Sequence, residues 1–187
     1  MHNLLKDKKL QIGLLFIACL NFCPSFGYPL MIQMREILKI DKIFLGYLGA
    51  IGTVLGIIGY IIYYKWIYVF PTKKMLYFMV LFSAITNLFY LYIPNQWIIL
   101  IYNILFGAFS GITFMIFLNF FIDIIPKGNE GLFYALITSV SNFTTKGGIY
   151  FGGIIYDYWG YSITVIFSAI TTLLCLLIVP YLKSQKC

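Results

Sequence analysis

The grouping of apolar residues constrains this chain more than any other feature. Six apolar runs, at approximately 10–34, 43–63, 75–93, 97–125, 132–156 and 161–182, are separated by short basic or proline-bearing segments. A helix that crosses hydrocarbon needs about 20 such residues, because each residue adds about 1.5 Å to a core about 30 Å thick. Six runs of this length use up nearly all of the 187 residues. Composition agrees: 61% of the residues are hydrophobic and only 10% are charged. Soluble domains average about 45–50% apolar and about 25% charged residues. A soluble enzyme, a disordered tail and a nucleic-acid module are therefore excluded. The expected fold is an all-α integral membrane protein of six transmembrane helices, in one domain over residues 1–187, with the lipid bilayer as its surroundings.

The net charge of +7 has a topological reading. Lys6, Lys8, Lys9, Lys65, Lys73, Lys74, Lys127, Lys183 and Lys186 fall in alternate loops that share one side. Arg35, Lys39 and Lys42 fall on the other side. Basic residues hold loops in the cytoplasm, so nine against three places both termini there, as an even number of spans requires. Trp66, Trp97 and Trp159 stand at run ends, where amphipathic rings favour the headgroup region. No cleavable signal peptide is visible, because the first apolar run is too long and lacks a small-residue cleavage site.

Four features inside the runs are candidates for function. Gly49, Gly52, Gly56 and Gly59 recur at three- and four-residue spacing on one helix face. Gly52 with Gly56, Gly107 with Gly111, and Gly148 with Gly152 form small-xxx-small pairs. Such residues let backbones approach closely, either as static packing or as a sliding, gating contact in a transporter. Pro24 and Pro29 predict a bent or broken first helix, with Asn21, Ser25 and Tyr28 beside the break. That break is either a kink with satisfied carbonyls or the edge of a cavity. Lys146 lies roughly 21 Å, at 1.5 Å per residue, from the start of its run at Leu132. It either snorkels outward or faces a cavity and holds an anion. The neutral polar residues Asn87, Asn103, Ser110, Thr113, Asn119, Ser141, Asn142 and Thr145 are expected to face the bundle or a cavity, since polar groups against lipid are costly.

The sequence holds no motif for metal binding, nucleotide binding or nucleophilic catalysis, and its single histidine is His2. No enzyme activity, cofactor or metal is expected. Cys19, Cys23 and Cys175 read as small hydrophobes.

Two segments carry a family resemblance. Ile125-Pro-Lys-Gly-Asn-Glu-Gly-Leu-Phe-Tyr-Ala-Leu-Ile-Thr-Ser-Val-Ser-Asn142, followed by Gly147-Gly148 and Gly152-Gly153, is similar to the tenth loop and eleventh helix of the folate-biopterin transporter family. That family belongs to the major facilitator superfamily. Pro24-Ser25, Phe44-Leu-Gly46, Tyr64-Lys65, Pro71 and Lys73-Lys74 resemble the family's seventh and eighth helices and the loop after them. Gly27, Tyr47, Asn103 and Asp123 depart from the charges common at the matching positions. The resemblance implies half of a major-facilitator-type bundle, the C-terminal six helices, with an N-terminal six-helix half or a second chain completing it. It implies transport of a small organic solute, a folate- or pterin-like anion, by alternating access. The expected substrate-facing residues are Asn21, Ser25, Asn103, Ser141, Asn142 and Lys146, with Lys146 drawing a carboxylate. The alternative is a non-transporting or decayed six-span protein that serves as a structural partner subunit.

Overall fold

The computed structural model describes residues 8–125, 128 and 130–182, and among them the regular structure is entirely helical. Lys6, Pro126, Lys127, Lys183, Lys186 and Cys187 lie outside the described residues. Helix α1, Lys8–Phe22, stops before Pro24, whose ring disfavours helical backbone at Cys23. Helix α2 restarts at Gly27–Ile32 and widens into a π turn over Gln33–Ile37. Pro29 sits in the first turn of α2, where its missing N–H has no helical partner to lose. The break predicted from the two prolines is therefore present. Its freed backbone is satisfied across the bundle, with Ser25 N donating to the Gly148 carbonyl at 3.0 Å.

Helix α3, Lys42–Ile62, likewise ends in a π turn, Tyr63–Ile67. Helix α4 spans Thr72–Phe89 and α5 spans Gln96–Ile124. Asn95 caps α5, its side-chain oxygen accepting from Trp97 N and Ile98 N at 3.1 Å each. Helix α6 runs over Glu130–Leu174 but is interrupted at Gly160, whose φ of 78° and ψ of −179° are non-helical. The two limbs of α6 cannot be collinear. Gly148 packs on the carbonyls of Asn21 and Cys23, while Cys175 Sγ lies 3.8 Å from Cys23 Sγ. A straight helix would separate residues 148 and 175 by roughly 40 Å. The chain therefore folds back at Gly160.

Among the described residues four helical stretches are long and apolar enough to cross a membrane: Lys8–Ile37, Lys42–Ile67, Gln96–Ile124 and Glu130–Tyr181. The six separate crossings expected from the sequence are not resolved at this level. The last two runs share one helical stretch, and α4, with Lys73 and Lys74 in its first turn, is not among the four.

The bundle has two distinct ends. At one, Lys9 Nζ donates to the Asp123 carbonyl (2.7 Å), Thr72 Oγ1 donates to Asp123 Oδ2 (2.7 Å), and Lys73 Nζ donates to the Pro180 carbonyl (2.6 Å). The larger core cluster, including Phe16, Ile17, Leu76, Val80, Ile116 and Phe120, stands behind this end. At the other end Ile40, Leu48, Ile93 and Ile99 form a smaller cluster, and Tyr161 Oη donates to the Tyr90 carbonyl (2.8 Å). Between the ends, α4 and α5 are joined by an aromatic ladder in which Phe82 stacks on Phe109 with centroids 3.5 Å apart. Many large apolar side chains point outward, Phe143 with 80% of its surface exposed. An outer surface of this kind suits lipid and not water.

Candidate functional site: a neutral polar hollow

Four helical elements turn polar residues toward a shared space. On α4, Ser83, Thr86, Asn87 and Tyr90 follow one another at intervals that keep them on one face. On α5, Asn103, Ser110 and Thr113 do the same. Asn21 comes from the last turn of α1, and Ser168 and Thr172 come from the second limb of α6. The hollow they line consists of three adjoining cavities of about 310, 370 and 450 Å³. The first also shares Gly52, Tyr90, Asn103 and Ser110 with a groove of about 680 Å³ between α2, α3 and α5. Among the described residues no charged side chain lines any of these spaces.

Most of the polar groups are tied to the chain. Asn21 Nδ2 donates to the Ile17 carbonyl (2.8 Å), and Asn21 Oδ1 accepts from Thr145 Oγ1 (3.4 Å). Asn87 Nδ2 donates to Ser168 Oγ at 3.4 Å, linking α4 to α6. Asn103 Nδ2 donates to the Leu48 carbonyl (3.2 Å), which fixes the amide's orientation. Its Oδ1 is buried against Gly52 without a partner, as is Thr86 Oγ1 elsewhere in the lining. A buried polar atom left unpaired costs about 1–3 kcal/mol, so these two mark places where an added partner is favourable, a donor for Asn103 Oδ1 and a donor or an acceptor for the Thr86 hydroxyl.

Of the expected substrate-facing residues, Asn21, Ser25 and Asn103 line these cavities. Ser141, Asn142 and Lys146 line none of them. Ser141 contributes its carbonyl, which accepts from Thr145 Oγ1 at 2.8 Å. Asn142 and Lys146 are exposed. Thr145 faces Asn21, and each residue turns a helix by about 100°, so Lys146 points away from the hollow. Ser83, Thr86, Tyr90, Ser168 and Thr172 line the hollow without having been expected. Their signal was the polar spacing along α4 and the second limb of α6. It is faint because a serine or threonine in an apolar helix so often bonds to its own backbone.

The glycines lie along two seams. On the first, a Cβ at Gly59 would collide with the Ala108 carbonyl and one at Gly111 with the Gly56 carbonyl. Gly107 would meet Leu55 Cβ at 2.8 Å, and Gly52 would meet Asn103 Oδ1 at 3.2 Å. This seam brings α3 and α5 to backbone contact. On the second, Gly148 and Gly152 of α6 sit against the carbonyls of Asn21, Cys23 and Ser25 in the broken segment. Gly49 has nothing within 4 Å of a built Cβ and lines the groove instead.

Among the described residues no group of three metal-ligating side chains comes together. The sequence profile of the Major Facilitator Superfamily matches residues 14–186. No curated protein and no solved structure matches the chain.

Proposed function

Because the chain belongs to the Major Facilitator Superfamily, we propose that it carries a small polar solute across a membrane by alternating access, with the neutral hollow as its half of the binding site. The observation that carries this reading is a continuous polar lining in a bundle whose outer surface is apolar. An integral, multi-pass membrane protein follows from the apolar helices together with the family. The fold-back at Gly160 and the passage of α4 between the two ends support six crossings in all. The excess of lysines beside Lys9 and Lys73 supports a cytoplasmic location for that end and for both termini.

The chain acts as one six-helix half. The exposed strip of Asn142 and Lys146 on α6 supports a second six-helix body, on another chain or another segment, that covers it. The resemblance to folate-biopterin transporters supports a solute with a pterin-like ring. The test is uptake of radiolabelled pterin and folate into liposomes carrying the purified chain. Saturable uptake above that of empty liposomes is expected. Linear, protein-independent entry of every solute tried would instead make the chain a structural partner subunit.

A further inference from the structure

We propose that the outward face of the first limb of α6 is the seam on which the second six-helix body docks, and that this body brings an aspartate or glutamate to Lys146 midway across the membrane. The proposal rests on the reading that a second body completes the chain. It names the chemistry of that body and the place where it meets this one.

Helix geometry sets the face. At about 100° per residue, Ser139, Asn142, Tyr150, Gly153 and Asp157 all fall within about 40° of the direction of Lys146. All of these except Gly153 are exposed, as is Lys146. Ile137, Gly148 and Ile155 stand on the opposite side and are buried. The second limb serves as an internal control. Its exposed side chains include Ile163, Ile166, Phe167, Ile170, Leu174 and Leu177, the apolar kind that acyl chains accept. Two limbs of one chain therefore turn different surfaces outward, one polar and one apolar.

Lys146 decides what covers the polar one. Among the described residues no hydrogen bond or ion pair holds its ammonium. Roughly 16 Å of helix separates it from Asp157 and roughly 24 Å from Glu130, at about 1.5 Å per residue. A four-carbon stem cannot snorkel over either distance, and snorkelling would leave Asn142 and Ser139 against lipid in any case. A second copy of this chain does not answer the charge. Each of the six acids in the sequence stands in the last turn of an apolar run or outside it. In either orientation a copy would bring no acid to the level of Lys146, and in the parallel one it would bring a second ammonium. The occupant is therefore a different body, whose carboxylate complements Lys146 and whose polar groups can pair with Asn142. A Cβ built on Gly153 meets nothing within 4 Å, so a helix can come close along this line.

The test is photo-cross-linking in the native cell membrane, with p-benzoylphenylalanine in place of Tyr150, one turn from Lys146. The same probe in place of Phe167 on the second limb is the comparison. At Tyr150 the main adduct should be a peptide outside residues 1–187, from an apolar run with an aspartate or glutamate near its middle. At Phe167 lipid adducts should dominate. Lys146→Glu should cut the Tyr150 adduct about tenfold or more, and lysine in place of the partner's acid should restore it in that background. Lys146→Gln adds no new charge to the membrane, so it should accumulate like the parent and still cut the adduct several-fold. The proposal is overturned by lipid adducts alone at Tyr150, by no adduct, by adducts with a second copy, by a partner run without an acid near its middle, or by a charge swap that restores nothing. Uptake separates this proposal from the transport reading. A cross-linked partner whose complex with this chain moves no solute would end transport and leave the seam standing. Saturable uptake by the purified chain, with only lipid adducts at Tyr150, would do the reverse.

Discussion

At the scale of single residues, the glycines divide by what a methyl group would meet. Gly59→Ala forces a Cβ into the Ala108 carbonyl, which belongs to rigid backbone. Overpacking of this kind costs about 1–3 kcal/mol, so the variant should melt well below the parent in detergent. Gly153 has open space around the same methyl. Alanine there gains helix propensity of up to about 1 kcal/mol, so Gly153→Ala should melt at or above the parent temperature. If both variants behaved alike, the seam between α3 and α5 would not be a tight contact. Asp123 shows a different logic. In sequence it stands four residues before Lys127, among few other charges. In the fold its carboxylate accepts from the fully buried Thr72 hydroxyl, and its carbonyl accepts from Lys9. Asp123→Ala strands the Thr72 hydroxyl, and a loss of about 1–3 kcal/mol in unfolding free energy is expected.

At the scale of elements, two joints hold the architecture. Gly160 adopts a backbone conformation that is essentially restricted to glycine. Gly160→Ala should cost about 1–3 kcal/mol, read as a lower melting temperature, because the turn that returns the chain beside α4 is then strained. The other joint ties α1 to the end of α6, where Cys23 Sγ and Cys175 Sγ approach to 3.8 Å. A mild oxidant that removes two electrons and two protons should join them without large rearrangement. Cleavage at a protease site engineered at residue 128, between α5 and α6, should then leave two fragments that stay linked on a denaturing gel until a reductant is added. Cys23→Ser should release them at once. If the wild-type fragments separated without reductant, the packing of α1 on the second limb of α6 would be wrong.

At the scale of the whole molecule, the charges and the hollow make one prediction about what is covered. Lys146 and Asn142 lie on an outward face of α6. Lys146→Cys should react with a membrane-impermeant maleimide if that face borders an aqueous cavity completed by a second six-helix body. It should stay unlabelled if the face meets acyl chains. A solvent-accessible cysteine at residue 65 should be labelled only from the cytoplasmic side.

The sequence by itself determined the class of molecule and the positions of its breaks. Run length and the scarcity of charge force a membrane-embedded helical bundle, because no water-soluble surface can be made from these residues. Pro24 and Pro29 force the interruption after Phe22, since a proline ring excludes the helical backbone before it. Asn21, Ser25 and Asn103 were legible as cavity residues because a polar amide or hydroxyl against lipid is costly wherever it falls. The tertiary structure alone decided the rest. Only the fold-back at Gly160 places Ser168 and Thr172 opposite Asn21 and Asn87, across long sequence distances that no local spacing records. Only the rotation of α6, fixed by Gly148 and Gly152 against the broken segment, turns Lys146 away from the hollow, whose described lining is neutral. Periodicity tells which residues share a helix face; which neighbour that face meets is set by close packing between distant segments.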